Sequence, residues 1–298
     1  MKKKDIILAS IIAASFILFI AIMILAFVGV LYEDHNVALD FGEKIAIIDV
    51  HGVISSSANV IRQLKKFGDD SSIPALVIHI DSPGGGVAAS QEIYEEIRKV
   101  REKGKTVVAS MGSLGASGGY YIACAADTIV ANPGTITGSI GVIFEVPIIE
   151  ELLKKMGIRF EVIKSGEMKD VGSFARSITP KEREYLQQVI DDTYDQFVEV
   201  VVNERDLSQS QVYKLADGRV FTGRQAQKLK LIDELGDLED AIEIAAKMAG
   251  LKGKPRTIKE RVRTVTFWDV LSESISKVDE LSKAENFTPK LQYLYKIK

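Results

Sequence analysis

The chain has 298 residues, 46% hydrophobic and 27% charged, with 38 Lys+Arg against 41 Asp+Glu for a formal net charge of -3. That length holds one large domain or two modest ones, and the absence of a positive excess excludes a broad electrostatic footprint for nucleic acid. The single cysteine, Cys124, excludes an intrachain disulfide framework and a CxxC zinc site.

In chain order the first signal is Ile6 to Tyr32, a run with no charged residue. As a helix it would extend about 40 Å, enough to span a bilayer with some tilt. A cleaved leader has a shorter apolar region, roughly 7–15 residues, followed by small residues, and no such site follows here. Lys2, Lys3 and Lys4 precede the run and Glu33 and Asp34 follow it, so the positive-inside rule keeps the N-terminus cytoplasmic and sends the rest across the cell membrane. The expected organisation is a cytoplasmic stub 1–5, a single transmembrane anchor 6–32, a linker 33–43, a main domain 44–250 and a C-terminal extension 251–298.

In the main domain, Lys44 to Val50 and Ala75 to Asp81 are short runs rich in Ile and Val that read as buried strands. Asn59 to Phe67 and Gln91 to Lys103 have helical spacing. Thr106 to Ser110 reads as a strand, Ser117 to Ala126 as a helix, Thr128 to Ala131 as a strand, Ile148 to Met156 as a helix and Arg159 to Ile163 as a strand. This alternation predicts an α/β domain. Thr179-Pro180 with Glu182 opens a long helix to about Glu204, and shorter helices follow at Arg224 to Leu229 and Leu238 to Met248. In the extension, Phe267, Leu271, Ile275, Val278 and Leu281 recur at helical spacing and suit packing on the domain or a neighbouring subunit.

Two glycine-rich loops carry the candidate chemistry. Asp81-Ser82-Pro83-Gly84-Gly85-Gly86 follows a strand and precedes a helix, where backbone N–H groups can point at an anion; no lysine follows, so it is not a phosphate loop. Gly115 to Gly119 fits G-x-S-x-G around Ser117. Two readings of Ser117 stand side by side: an exposed nucleophile with oxyanion donors nearby, or a helix cap. A nucleophilic serine needs a base, and His35, His51 and His79 all precede it, which excludes the Ser, acid, His order of an α/β-hydrolase. His79 with Asp81 on one strand face keeps a histidine arrangement in play; otherwise the base is a lysine. A lysine titrates near 10.4 in water and works as a base at neutral pH only where a dry site or a neighbouring cation brings it down by roughly 2–3 pH units. Lys164 and Lys169 both lie in a loop after a predicted strand, and spacing alone does not choose between them. The Ser274 to Lys277 match to S-x-x-K sits in a polar helical tail and reads as chance. Cys124, among alanines, reads as a small buried residue, and Tyr120 and Tyr121 as pocket lining or core.

The stretches DSPGGG (81–86), GSLGASGGYY (112–121), TGSIGV (137–142), KSGEMKDVGSFAR (164–176) and DGRVFTGRQA with LIDELG (217–236) resemble, in order, the signal peptide peptidase A family of serine peptidases, of the wider ClpP/crotonase fold. The resemblance implies Ser117 as nucleophile, Lys169 rather than Lys164 as general base, Gly84 and Gly118 as the oxyanion hole, and Gly85 and Ser139 in support or substrate binding. It implies no metal or cofactor, peptide substrates such as signal peptides left in the membrane, and assembly into a homo-oligomer. Lys230 departs from the family's glycine before the LID segment and puts a turn there in doubt. Two other classes share these features in part: a crotonase-like acyl-CoA enzyme and a noncatalytic membrane scaffold.

Overall fold

In a computed structural model the described residues are 44–260 apart from Lys254, the strand 291–294, and Phe16, Leu18, Phe19, Ile20 and Met23. The chain divides into two compact units, Met1–Gly42 and Glu43–Lys298. In the first, the described residues are helical and exposed; the rest of the expected anchor and linker, and the helical repeat at 267–281, lie outside the described residues. Among those described, no helix is long and apolar enough to cross a membrane.

The second unit is mixed α/β. Its elements in order are β1 (Lys44–His51), α1 (Ala58–Gly68), β2 (Ala75–Ser82), β3 (Gly84–Gly86), α2 (Val87–Glu102), β4 (Thr106–Ala116), α3 (Gly118–Ala123), β5 (Thr128–Ala131), β6 (Ile136–Gly138), β7 (Ile143–Phe144), α4 (Glu150–Lys155), α5 (Pro180–Glu204), α6 (Gln209–Leu215), β8 (Val220–Thr222), α7 (Gly223–Lys228), β9 (Glu234–Leu235), α8 (Leu238–Met248), β10 (Arg256–Lys259) and β11 (Leu291–Leu294). The main sheet runs β10-β1-β2-β4-β5-β9, parallel at every pairing along that path.

Both faces of this sheet are covered, which is why β1, β2 and β4 read as continuous apolar runs. Ala46, Ile48, Leu76, Ile78, Val107 and Ala109 point into the larger core with Leu64, Ile97 and Phe197 from α1, α2 and α5. Ile45, Ile47, Ala75, Val77 and Val108 face Ala241, Ile242 and Ala245 of α8. The helix α5 opens as its sequence predicts: Thr179 accepts from Glu182 N–H and the Glu182 side chain accepts from Thr179 N–H, a reciprocal cap with Pro180 next in line.

The structure departs from the sequence reading at Arg159 to Ile163, which forms no strand. Every residue of that segment is exposed, Ile163 at 96%, and no described strand pairs with it, so its alternating pattern has no sheet to enter. Strand β4 runs six residues past Ser110, up to the residue before Ser117. Its partner β2 loses register between Ile80 and Ser82, and the Asp81 carboxylate accepts Leu114 N–H at 3.0 Å across the irregularity. Lys230, where a glycine was expected, does adopt the turn, at φ 61.

Candidate active site

Ser117 joins β4 to α3 with φ 54 and ψ -117; it occupies the N-cap position of α3, but its side chain makes no cap bond. A non-glycine residue in this region carries backbone strain of the kind that gathers at functional sites. What holds it there is packing on every side. Its N–H donates to the Gly138 carbonyl at 2.8 Å, where β6 pairs with the end of β4, and Thr137 donates from its hydroxyl to Gly115 O at 2.7 Å. Ser117 is 1% exposed, and its hydroxyl has no hydrogen bond among the described residues.

Around it the glycines are spacing devices. A side chain on Gly118 would stand 2.6 Å from the Ser90 hydroxyl and 3.2 Å from both Gly84 Cα and Gly85 N. The two loops singled out in the sequence therefore touch, with Gly118 against Gly84 and Gly85. As the first residue of α3, Gly118 has no intrahelical acceptor for its N–H, and none is found among the described residues. The Gly84 amide is differently placed: it donates to the Ser82 hydroxyl at 3.1 Å, and that hydroxyl donates to Gly52 O at 2.6 Å. Ser82 and Ser90, both fully buried, are the residues that sequence reasoning passed over; the available signal for Ser82 was its place in the glycine loop, whereas Ser90 lies in the first turn of α2. Ser139 is 7% exposed at φ 52, its N–H donating to Arg219 O at 2.8 Å.

Lys169 lies in a short 3-10 turn, Glu167–Asp170, exposed, and its side chain has no hydrogen bond or ion pair among the described residues. Its neighbours are fixed: Asp170 pairs with Lys164 and with Arg176, and Arg176 also binds Glu182. Arg176 first, then Lys164, holds the Asp170 carboxyl well below its ordinary value, and Arg176 with the Thr179 amide lowers Glu182 to about 2. Lys164 is thus committed to Asp170. His79 Nδ1 is buried without a hydrogen-bond partner among the described residues, and the ion-pair neighbour of Asp81 is His51, its Nδ1 at 3.7 Å. Burial pushes the Cys124 thiol up to about 12, and Tyr120, with its hydroxyl donating to Leu231 O at 2.8 Å, belongs to the core with Tyr121. No cluster of metal-ligating side chains is found among the described residues.

The model of peptidase family S49 matches residues 99–252, and that of Clp protease matches residues 41–135. This chain belongs to peptidase family S49. The S49 chain is 51% identical to a protein of Synechocystis sp. described as a protease, over 211 residues that make up 70% of this chain and 76% of that one. It is 34% identical to the chloroplastic serine protease SPPA of Arabidopsis thaliana over 260 residues, 81% of this chain but 38% of that one. A structure of a ClpP1 mutant from Listeria monocytogenes aligns at a TM-score of 0.45 and 19% identity, covering 65% of this chain and 93% of that one. By family the chain is a peptidase of the serine class.

Proposed function

We propose that this S49 peptidase is a membrane-anchored serine endopeptidase that works through Ser117 and Lys169 and degrades signal peptides left in the membrane. The observation that carries the reading is Ser117 itself, held at φ 54 between strand and helix, its hydroxyl and the adjacent Gly118 amide both without a hydrogen bond among the described residues. That is the arrangement an attacking hydroxyl and a developing oxyanion require. In the reaction, neutral Lys169 takes the Ser117 proton as Oγ attacks the peptide carbonyl, the ammonium returns it to the leaving amine, and water releases the acyl group. Gly118 donates to the oxyanion, Gly84 joins it by turning its amide from Ser82, and Gly85 and Ser139 hold the substrate backbone.

A lysine serves as base where a dry site or a neighbouring cation lowers it, and in the single chain Lys169 is exposed. A second copy of the chain supplies the missing cover, and the homo-oligomer is part of the proposal. The uncharged run 6–32 and the charges that flank it support the anchor and an external catalytic domain. The test is cleavage of a synthetic signal peptide by the full chain in lipid bilayers, comparing wild type with Ser117→Ala and Lys169→Ala. Loss in both variants is expected; cleavage that survives Ser117→Ala removes the proposal, and cleavage that survives Lys169→Ala alone moves the base elsewhere.

A further inference from the structure

Lys230 stands in a turn that suits glycine better. It follows α7, where its N–H donates to Gln227 O at 3.0 Å and Leu231 N–H donates to Ala226 O at 2.9 Å, and it closes the helix at φ 61. A helix end of this shape favours glycine, because a side chain at positive φ is strained. Strained residues of this kind gather at ligand sites and active sites.

The Lys230 side chain stands at a cavity of about 290 Å³. Leu207, Leu215 and Leu229, buried or half-buried, form its floor, and Lys214, Lys228 and Lys230, all exposed, form its rim. Among the described residues, no carboxylate lines the cavity, and the side chains of Lys214 and Lys228 have no hydrogen bond or ion pair. Lys230 has Asp206, fully exposed, at 3.8 Å. Three ammonium groups around a leucine floor complement an anionic amphiphile, charge meeting its head and apolar surface meeting the carbons beyond it.

Strands β1, β2, β4, β5 and β9 are parallel, so all begin at one end of the sheet. At that end Asp127, just ahead of β5, pairs with Arg101, which also pairs with Glu204 at the end of α5. The next residue, Arg205, donates to Lys230 O at 3.2 Å and pairs with Asp233, just ahead of β9. The lysine rim therefore lies at the end of the domain where the chain enters β1 at Lys44. An anchor ending at Tyr32 would leave only 33–43 between the bilayer and Lys44, a reach of at most about 40 Å.

We propose that Lys214, Lys228 and Lys230 hold the phosphate headgroup of an anionic phospholipid, with its first acyl carbons against the three leucines, and so seat this end of the domain on the membrane surface. The choice of a lipid over a free anion rests on the anchor reading of segment 6–32.

The test uses the full chain in zwitterionic detergent, titrated with short-chain phosphatidylglycerol, short-chain phosphatidylcholine or inorganic phosphate, and read by hydrogen exchange over residues 205–216 and 226–232. Phosphatidylglycerol should slow exchange in both segments, and neither of the others should do so at the same concentration. A lysine beside an anionic surface is worth about fivefold in binding, so the titration midpoint should rise about fivefold in Lys230→Gly and on the order of a hundredfold when Lys214, Lys228 and Lys230 are all changed to Gln. Lys230→Gly also relieves the turn and should melt no lower than wild type, so weaker binding by that variant does not come from unfolding. The proposal is overturned by no protection with phosphatidylglycerol, by equal protection with phosphatidylcholine or with inorganic phosphate, or by an unchanged midpoint in the triple variant. None of these readouts needs cleavage, so a chain inactive on peptides would count against the Ser117 and Lys169 reading alone. Whether segment 6–32 anchors the chain is read separately, from its partition between membrane and soluble fractions.

Discussion

At φ 54 and ψ -117 Ser117 occupies backbone space that suits glycine, and such a residue carries strain on the order of 1–3 kcal/mol. Ser117→Gly should therefore melt higher than wild type, by about 1 kcal/mol of stability after the entropy of the added glycine is counted, and be inactive. Ser117→Ala keeps its Cβ and should lose activity without that gain. Thermal unfolding of the three chains checks it; equal melting of the Gly and Ala variants would mean the turn is not strained. Gly118 is constrained from the other direction. A methyl there meets Ser90 Oγ at 2.6 Å, so Gly118→Ala should lower kcat at least tenfold, and adding Ser90→Ala should recover part of it, since the nearest obstacle is gone while Gly84 Cα and Gly85 N, at 3.2 Å, remain. Peptide cleavage by the single and double variants reads the outcome.

The turn that carries Lys169 is anchored by charge rather than by burial. Arg176 binds both Asp170 and Glu182, and Glu182 also closes the cap of α5 through Thr179. The Glu182 carboxyl is lowered from 4.5 to about 2. A carboxyl depressed on folding contributes stability that is complete above its unfolded value and is lost as pH falls through its folded value. The anchorage should accordingly be intact above about pH 4.5 and weaken between there and about pH 2. Hydrogen exchange over residues 164–176 should accelerate as pH is taken below 4.5, after correction for the intrinsic rate, and Arg176→Ala should show the faster exchange already at neutral pH. At this scale the sequence reading was uneven for physical reasons. Strands β1, β2 and β5 were legible because both faces are largely buried and the runs are rich in Ile, Val and Ala, with the polar residues Asp49, His79 and Asp81 in the C-terminal halves of β1 and β2. Helix α5 was legible from Pro180 and the acid of its first turn, Glu182, and α8 was read as a helix without its Asp237 cap. The short pieces β3, β6, β8 and β9, at two or three residues each, carry too few side chains to show a period. Strand β11 is a contact between distant segments, and no local pattern announces a pairing with three glycines. The glycine loops and Ser117 were visible as motifs, whereas the Ser82 bond to Gly52 and the approach of Ser90 to Gly118 depend on which segments the fold brings together.

The whole molecule leaves a large apolar surface beside the lysine turn. Leu152 is 54% exposed, Met156 63%, Phe160 57%, Val162 53% and Ile163 96%, all within one stretch of chain and more than single scattered residues would require. Asp170, which follows Lys169, and Arg176 line a cavity of about 410 Å³ together with Phe160 and Val162 of that stretch. A surface of this kind is stable in water when a partner covers it, and the symmetric solution is a further copy of the same chain. Covering it would also draw water away from the lysine turn, which joins assembly to the chemistry proposed for Lys169. The paired substitution Leu152→Asp with Ile163→Asp places two charges on this surface at side chains that are outside the core. In detergent the wild-type chain should sediment as an oligomer and the double variant should shift toward the monomer, with cleavage reduced at least tenfold and with thermal unfolding of the domain little changed. If sedimentation shifts and cleavage does not, each chain completes its own site and the oligomer serves another purpose. If neither moves, the exposed stretch is not the contact between copies.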